Sequence, residues 1–176
     1  MLVGWEGVGL CSYALIGYWY QDSKEGWLHY WVGEPPEAYP PSHCGMKAFM
    51  VTRFGDLLMI AGILILASTV GSLNFTELVE MGKNVPAGLQ PLLPIALILI
   101  LGGAIGKSAQ LPLMEWLPDA MAGPSSVSAL IHAATMVKAG VYLVARLFPI
   151  ALAWSMSIPA ALNFFYVVMW IGAITA

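Results

Sequence analysis

LGGAIGKSAQLPLMEWLPDAMAGPSSVSALIHAATMVKAGVYLVAR, residues 101–146, sets two lysines and a histidine in sequence apolar enough to lie in a lipid bilayer. Lys107, His132 and Lys138 all stand in this predominantly apolar run. A charged side chain at bilayer depth costs roughly 2.5–3.5 kcal/mol on insertion scales, so such residues mark a function. Pro112 follows Lys107, Ser108 and Gln110. Proline removes a backbone donor and clashes with the preceding turn, which predicts a helix break near Leu111 and Pro112. Interrupted helices at bilayer depth survive only where protein or water surrounds the loosened backbone, and in transporters they mark the ion pathway. The alternative is a helix that ends at Gln110, with Lys107 reaching back to the membrane surface.

Downstream, Gly123 and Pro124 followed by Ser125 and Ser126 form a turn and a helix start. Ser128 and His132 are four apart, and His132, Thr135 and Lys138 follow at intervals of three. At 3.6 residues per turn His132 and Lys138 lie about 120° apart with Thr135 between them, a slanting polar seam. A lone intramembrane histidine is more often a hydrogen-bonded core residue. Beside the seam and the broken helix, His132 is read as functional.

Of the 176 residues, 59% are hydrophobic and 10% charged, against roughly 45–50% and 25% in soluble domains. This is the composition of a polytopic membrane protein. Seven basic and ten acidic residues leave no basic surface for nucleic acid and no charged tail. Backbone groups in lipid must satisfy one another, so the spans are helices. Five segments approach the roughly 20 apolar residues a span needs: 1–20, 46–70, 91–122 with its interruption, 125–147 and 150–175. Loops 21–45 and 71–90 join them. The predicted fold is an all-α transmembrane bundle of about five helices, one discontinuous. Both ends of the sequence read as cut through helices, as in part of a longer protein.

Upstream, Glu6 stands in an apolar first helix whose Gly7, Gly9, Ser12 and Gly17 let a neighbour approach closely. A glutamate this near an end is either solvated or, if the protein extends upstream, buried and functional. His29, and His43 beside Cys44, have too few companions for a metal site and read as loop residues. No metal-binding or cofactor-binding residues are assigned. Arg53 and Asp56, three apart on one helix face, are either a structural ion pair or part of a proton path. Residues 71–90 hold at most a short amphipathic piece with Asn74, Glu77, Glu80 and Lys83.

GWEGVGLCSYALIGYWY (4–20), MKAFMVTRFGDLLM (46–59) and GKSAQLPLMEWLPDAMAGPSSVSALIHAATMVKAGVYLVAR (106–146) together resemble the large L-type antiporter-like subunits of proton-pumping NADH:quinone oxidoreductase, respiratory complex I. The resemblance implies one five-helix repeat with a discontinuous helix, acting as a proton half-channel without redox chemistry of its own. It matches Glu6 to the family's glutamate, Lys107 to the pumping lysine and His132 to the histidine of the next helix. Lys138 matches a position that is threonine in some members and becomes the connecting residue, while Arg53 and Asp56 fit a TR-x-GD pattern. Burial disfavours an ammonium and a nearby carboxylate favours it, so Glu6 is expected to decide whether Lys107 keeps its proton. NADH, flavin, iron–sulfur clusters and quinone are expected in other subunits. Partners are the other membrane subunits and the lipid bilayer, in a prokaryotic cell membrane rather than the mitochondrial inner membrane. A subunit of a multi-subunit sodium/proton antiporter or of an ion-pumping membrane hydrogenase is the alternative. Loop 21–45 is longer than in typical members, and the second repeat is missing.

Overall fold

The computed structural model describes residues 1–20, 40–82 and 85–176, and helices are numbered in chain order among them. The longest, α2 (Pro41–Val70), packs against α1 (Leu2–Ile16) and α4 (Leu92–Lys107). It begins earlier than the 46–70 expected, so His43 and Cys44 are helical rather than looped. Pro40 is extended (φ −67°, ψ 153°) and Pro41 takes the first helical turn, where a missing N–H costs nothing. Gly71 ends the helix at φ 74°, a left-handed conformation that glycine adopts without penalty. His29 and most of loop 21–45, together with Lys83, lie outside the described residues.

α2 and α4 cross through glycines. A Cβ on Gly55 would stand 2.6 Å from the carbonyl oxygen of Gly102, and one on Gly62 2.6 Å from that of Ala96. With no hydrophobic drive between helices in lipid, such backbone-to-backbone contact is what holds them together.

The third span breaks earlier than expected. α4 ends at Lys107, Ser108 caps it, and Ala109 takes φ 50° before the next helical turn, α5 (Trp116–Asp119). Pro112 keeps the helix from resuming, since its absent N–H is the one that would bond Ser108 O, while the stop itself falls at Ala109, whose φ of 50° leaves the helical region. The freed backbone is satisfied locally and by neighbours. Gln110 N–H donates to Ile105 O (3.0 Å), Leu111 N–H to Thr175 Oγ1 (3.3 Å), and Ser108 Oγ to Val137 O (2.8 Å).

The expected helix over 125–147 is also revised. It comprises α6 (Ser125–Ala133) and α7 (Met136–Ser155), which runs on through Pro149. At the interruption, the N–H groups of Ala134 and Thr135 and the Thr135 hydroxyl all donate to Leu130 O at 3.1 Å. That widens the turn. The last apolar segment is correspondingly shorter than 150–175, comprising a 3-10 turn (Pro159–Leu162) and α8 (Asn163–Thr175).

The 71–90 connection contains α3 (Phe75–Met81), capped by Asn74, whose side chain accepts from Thr76 N–H. It docks on α7 through Trp154 Nε1–H to Leu78 O (2.8 Å). Among the described residues three stretches are long and apolar enough to cross a membrane, Pro41–Val70, Ala87–Lys107 and Ser125–Ser155. Leu2–Ile16 and Pro159–Thr175 are shorter apolar helices.

The buried apolar residues form two clusters. One holds Trp5, Met59, Leu66, Leu97, Ile100, Ala104 and Leu143. The other holds Ile16, Cys44, Ala48, Ala109, Trp116 and Met136. Along α1, α2 and the broken span alike, the first cluster gives way to the second across the level of Asp56 and Lys107.

Candidate functional site

Lys107 is the last residue of α4, and its Nζ lies 3.0 Å from Asp56 Oδ2, each side chain only 1% exposed. Asp56 sits 15 residues into α2, about 22 Å along the helix axis and so near its middle. The other carboxylate oxygen, Oδ1, accepts a hydrogen bond from Trp5 Nε1 at 2.6 Å. Two buried charges thus meet with both carboxylate oxygens occupied, the condition under which a buried ion pair is tolerable.

α1 covers the ammonium with a glycine. A Cβ on Gly9 would stand 2.6 Å from Lys107 Nζ. Gly9→Ala is therefore expected to displace the lysine or lift α1, lowering the protein's stability by about 1–3 kcal/mol. In a Lys107→Ala background the same substitution is expected to have almost no effect, because the atom it strikes is gone. Thermal melting of the four proteins in the double-mutant cycle measures this.

Glu6 is not the group bonded to Lys107. It forms an ion pair with Arg53, whose guanidinium also lies 4.9 Å from the Phe49 ring centre. Nor do Arg53 and Asp56 pair with each other along α2. A third pair, Lys47 Nζ to Asp119 Oδ2 at 2.7 Å, ties α2 to α5 beyond the break. Each of the three charged residues of α2 named here thus reaches a different element: Lys47 to α5, Arg53 to α1, Asp56 to α4.

The polar seam is distorted by the interruption at 134–135, so the regular 120° relation does not apply. Ser128 is buried and donates to Ala120 O (2.9 Å), and the Thr135 hydroxyl is committed to Leu130 O. His132 is half-buried, with Nε2 enclosed and unpaired among the described residues. Lys138 is exposed on the outer side of α7. It follows Val137, whose carbonyl holds Ser108 beside Lys107.

Sequence reasoning missed Trp5, Lys47 and Asp119 as site residues, and read Gly9 as a point of close approach without its contact to Lys107. Trp5, Gly9, Ser12 and Ile16 are the buried face of α1, and their spacing of four, three and four is a helical stripe. That stripe was the available signal for Trp5. Lys47 and Asp119 carried none, being far apart in sequence and joined only by the fold.

A family model described as NADH:quinone oxidoreductase/Mrp antiporter, transmembrane, matches residues 37–176. NADH-quinone oxidoreductase subunit L of Escherichia coli is 53% identical over 146 residues, covering 83% of this chain and 21% of that protein. F(420)H(2) dehydrogenase subunit L of Methanosarcina mazei is 42% identical over 171 residues, covering 87% and 23%. Chloroplastic NAD(P)H-quinone oxidoreductase subunit 5 of Zygnema circumcarinatum is 43% identical over 180 residues, covering 98% and 22%. The chain spans about a fifth of the length of these curated relatives. With the match running from before α2 to the last residue and taking in the broken helix and its lysine, the chain belongs to the NADH:quinone oxidoreductase/Mrp antiporter transmembrane family.

Proposed function

We propose that this chain is a proton-translocating half-channel of an NADH:quinone oxidoreductase in a prokaryotic cell membrane, coupling quinone reduction elsewhere in the complex to proton movement. The observation that carries the reading is the ion pair of Asp56 and Lys107, enclosed beside a helix break. NADH, flavin, iron–sulfur clusters and quinone belong to other subunits, and those subunits and the bilayer are its partners.

A buried ammonium is destabilised by desolvation and restored by a nearby carboxylate. Asp56 supplies that carboxylate, and Glu6 acts on it at one remove. Arg53 stands three residues from Asp56 on the same helix, within reach of either carboxylate. When Arg53 leaves Glu6 and turns to Asp56, the hold on Lys107 weakens and the lysine releases its proton. Glu6 is the control, Arg53 the mobile cation, Asp56 the relay and Lys107 the carrier. The proton then moves along the break toward His132 and Lys138. Ser128 and Thr135 shape that route through their backbone bonds rather than carrying the proton.

The test is proton translocation by the assembled complex in sealed vesicles, measured beside NADH oxidation. Lys107→Ala is expected to abolish translocation. Glu6→Gln, which removes a part-exposed ion pair worth up to about 1 kcal/mol, is expected to reduce it by up to about fivefold. Normal translocation in both variants refutes the reading. The family description also names the Mrp antiporters, which supports a second reading as a sodium/proton antiporter subunit. Transport that disappears in sodium-free buffer would favour it.

A further inference from the structure

We propose that Trp5 is a positioning residue that makes Asp56 a one-sided proton acceptor, an inference that rests on the ion-pair reading above. The indole has one polar atom, Nε1–H, which donates a hydrogen bond and cannot accept one. Trp5 is 5% exposed, and this N–H is committed to Asp56 Oδ1 at 2.6 Å. A proton placed on Oδ1 would turn the indole's acceptor from a carboxylate oxygen into a neutral hydroxyl, roughly halving a charge-assisted hydrogen bond. Oδ2 carries no bond from the indole. It faces Lys107 Nζ at 3.0 Å, so the proton-accepting oxygen is the one that touches the lysine.

The step this permits is balanced within the pair. One N–H bond of the Lys107 ammonium breaks and one O–H bond forms on Asp56 Oδ2, leaving an amine and a carboxylic acid. No other reactant is needed, and the reverse step restores the charges. Gly9 serves the same geometry from the same face of α1, since its missing side chain lets the ammonium sit against the helix. Trp5 moves with Glu6, its neighbour in sequence. A displacement of α1 that disturbs the Glu6–Arg53 pair therefore also withdraws the indole from Asp56.

Packing alone is the competing account of Trp5. Its ring belongs to the first apolar cluster and walls an apolar cavity of about 290 Å³ together with Met59, Ile63, Leu66, Ile100 and Leu147. The two accounts separate when the donor is removed and the shape kept. In the full-length subunit within its complex, position 5 is filled with 3-benzothienylalanine, a tryptophan analogue whose ring carries sulfur in place of N–H. Trp5→Phe is made in parallel. Both are expected to assemble and to translocate protons about tenfold more slowly, the equivalent of about 1.4 kcal/mol. The Asp56 carboxylate band, identified in infrared difference spectra by its loss in Asp56→Asn, is expected to shift in the analogue. Unchanged translocation in the analogue, or an unshifted band, overturns the inference. Lys107→Ala is the control. If it is defective while the analogue is normal, only the role of Trp5 falls. If both are normal, the half-channel reading falls with it.

Discussion

Lys107→Ala is expected to destabilise the protein by about 3–5 kcal/mol, because it leaves the Asp56 carboxylate buried without its counter-charge. The cost belongs to the stranded charge and not to lost packing. Converting the pair to apolar residues of similar size, Lys107→Met with Asp56→Leu, is therefore expected to return most of that stability, short of the about 1–3 kcal/mol for the Trp5 N–H left unpaired. Proton translocation is not expected to return with it. Melting temperature and yield of the purified complex measure the first quantity, and vesicle acidification the second. A Lys107→Ala protein that melts like the parent would mean that water reaches Asp56, contrary to the enclosure observed here.

Gly55→Leu carries the second large effect. A Cβ at this position meets Gly102 O at 2.6 Å and Gly106 Cα at 3.2 Å. Both are backbone atoms, so no side chain can rotate out of the way and the helices must part. Overpacking costs typically about 1–3 kcal/mol, and occasionally more. A rigid backbone opposite the insertion puts this case at or above the top of that range. The displacement also falls one residue from Asp56 and one from Lys107, through Gly106. The expected result is near-complete loss of assembled complex from the membrane, judged by native gel against Leu57→Ala. Leu57 is 63% exposed on the outer side of α2, and its truncation is expected to leave assembly intact.

The all-α bundle and the broken third span were legible because both follow from rules local to the chain: apolar run length, and a proline that cannot donate. The exact break was not, for it falls at Ser108 and Ala109, ahead of the Leu111 and Pro112 that the proline marks. Pro41 was harder, because the same ring that forbids a helix interior fits its first turn, and proline alone does not say which case applies. The interruption at Ala134 and Thr135 left no such mark. A threonine hydroxyl bonds back to a carbonyl only when its surroundings allow, and residues 125–147 otherwise read as one helix. The helix that follows runs on through Pro149, because helices in lipid tolerate a proline whose freed carbonyl is otherwise accommodated.

The partner of Lys107 was not legible. A helical reading gives depth and face on each helix, but not the rotation of one helix about another. Glu6 was the carboxylate that the family pattern set against Lys107, and Asp56 was read only beside Arg53. The crossing of α2 on α4 at Gly55 and Gly106 decides it, by bringing the next residue of each helix together.

The two apolar clusters that flank the ion pair act together as an insulator in two sheets. A transmembrane voltage falls across matter of low polarisability, so much of the drop across this chain is confined to the stretches above and below Lys107. In the proposed half-channel, a proton arriving at Lys107 has traversed part of the field, of which the whole is worth about 2.3 kcal/mol per 100 mV. Loading and unloading of Lys107, on that proposal, respond to the electrical component of the proton-motive force, and an imposed diffusion potential at constant pH is expected to alter their rate.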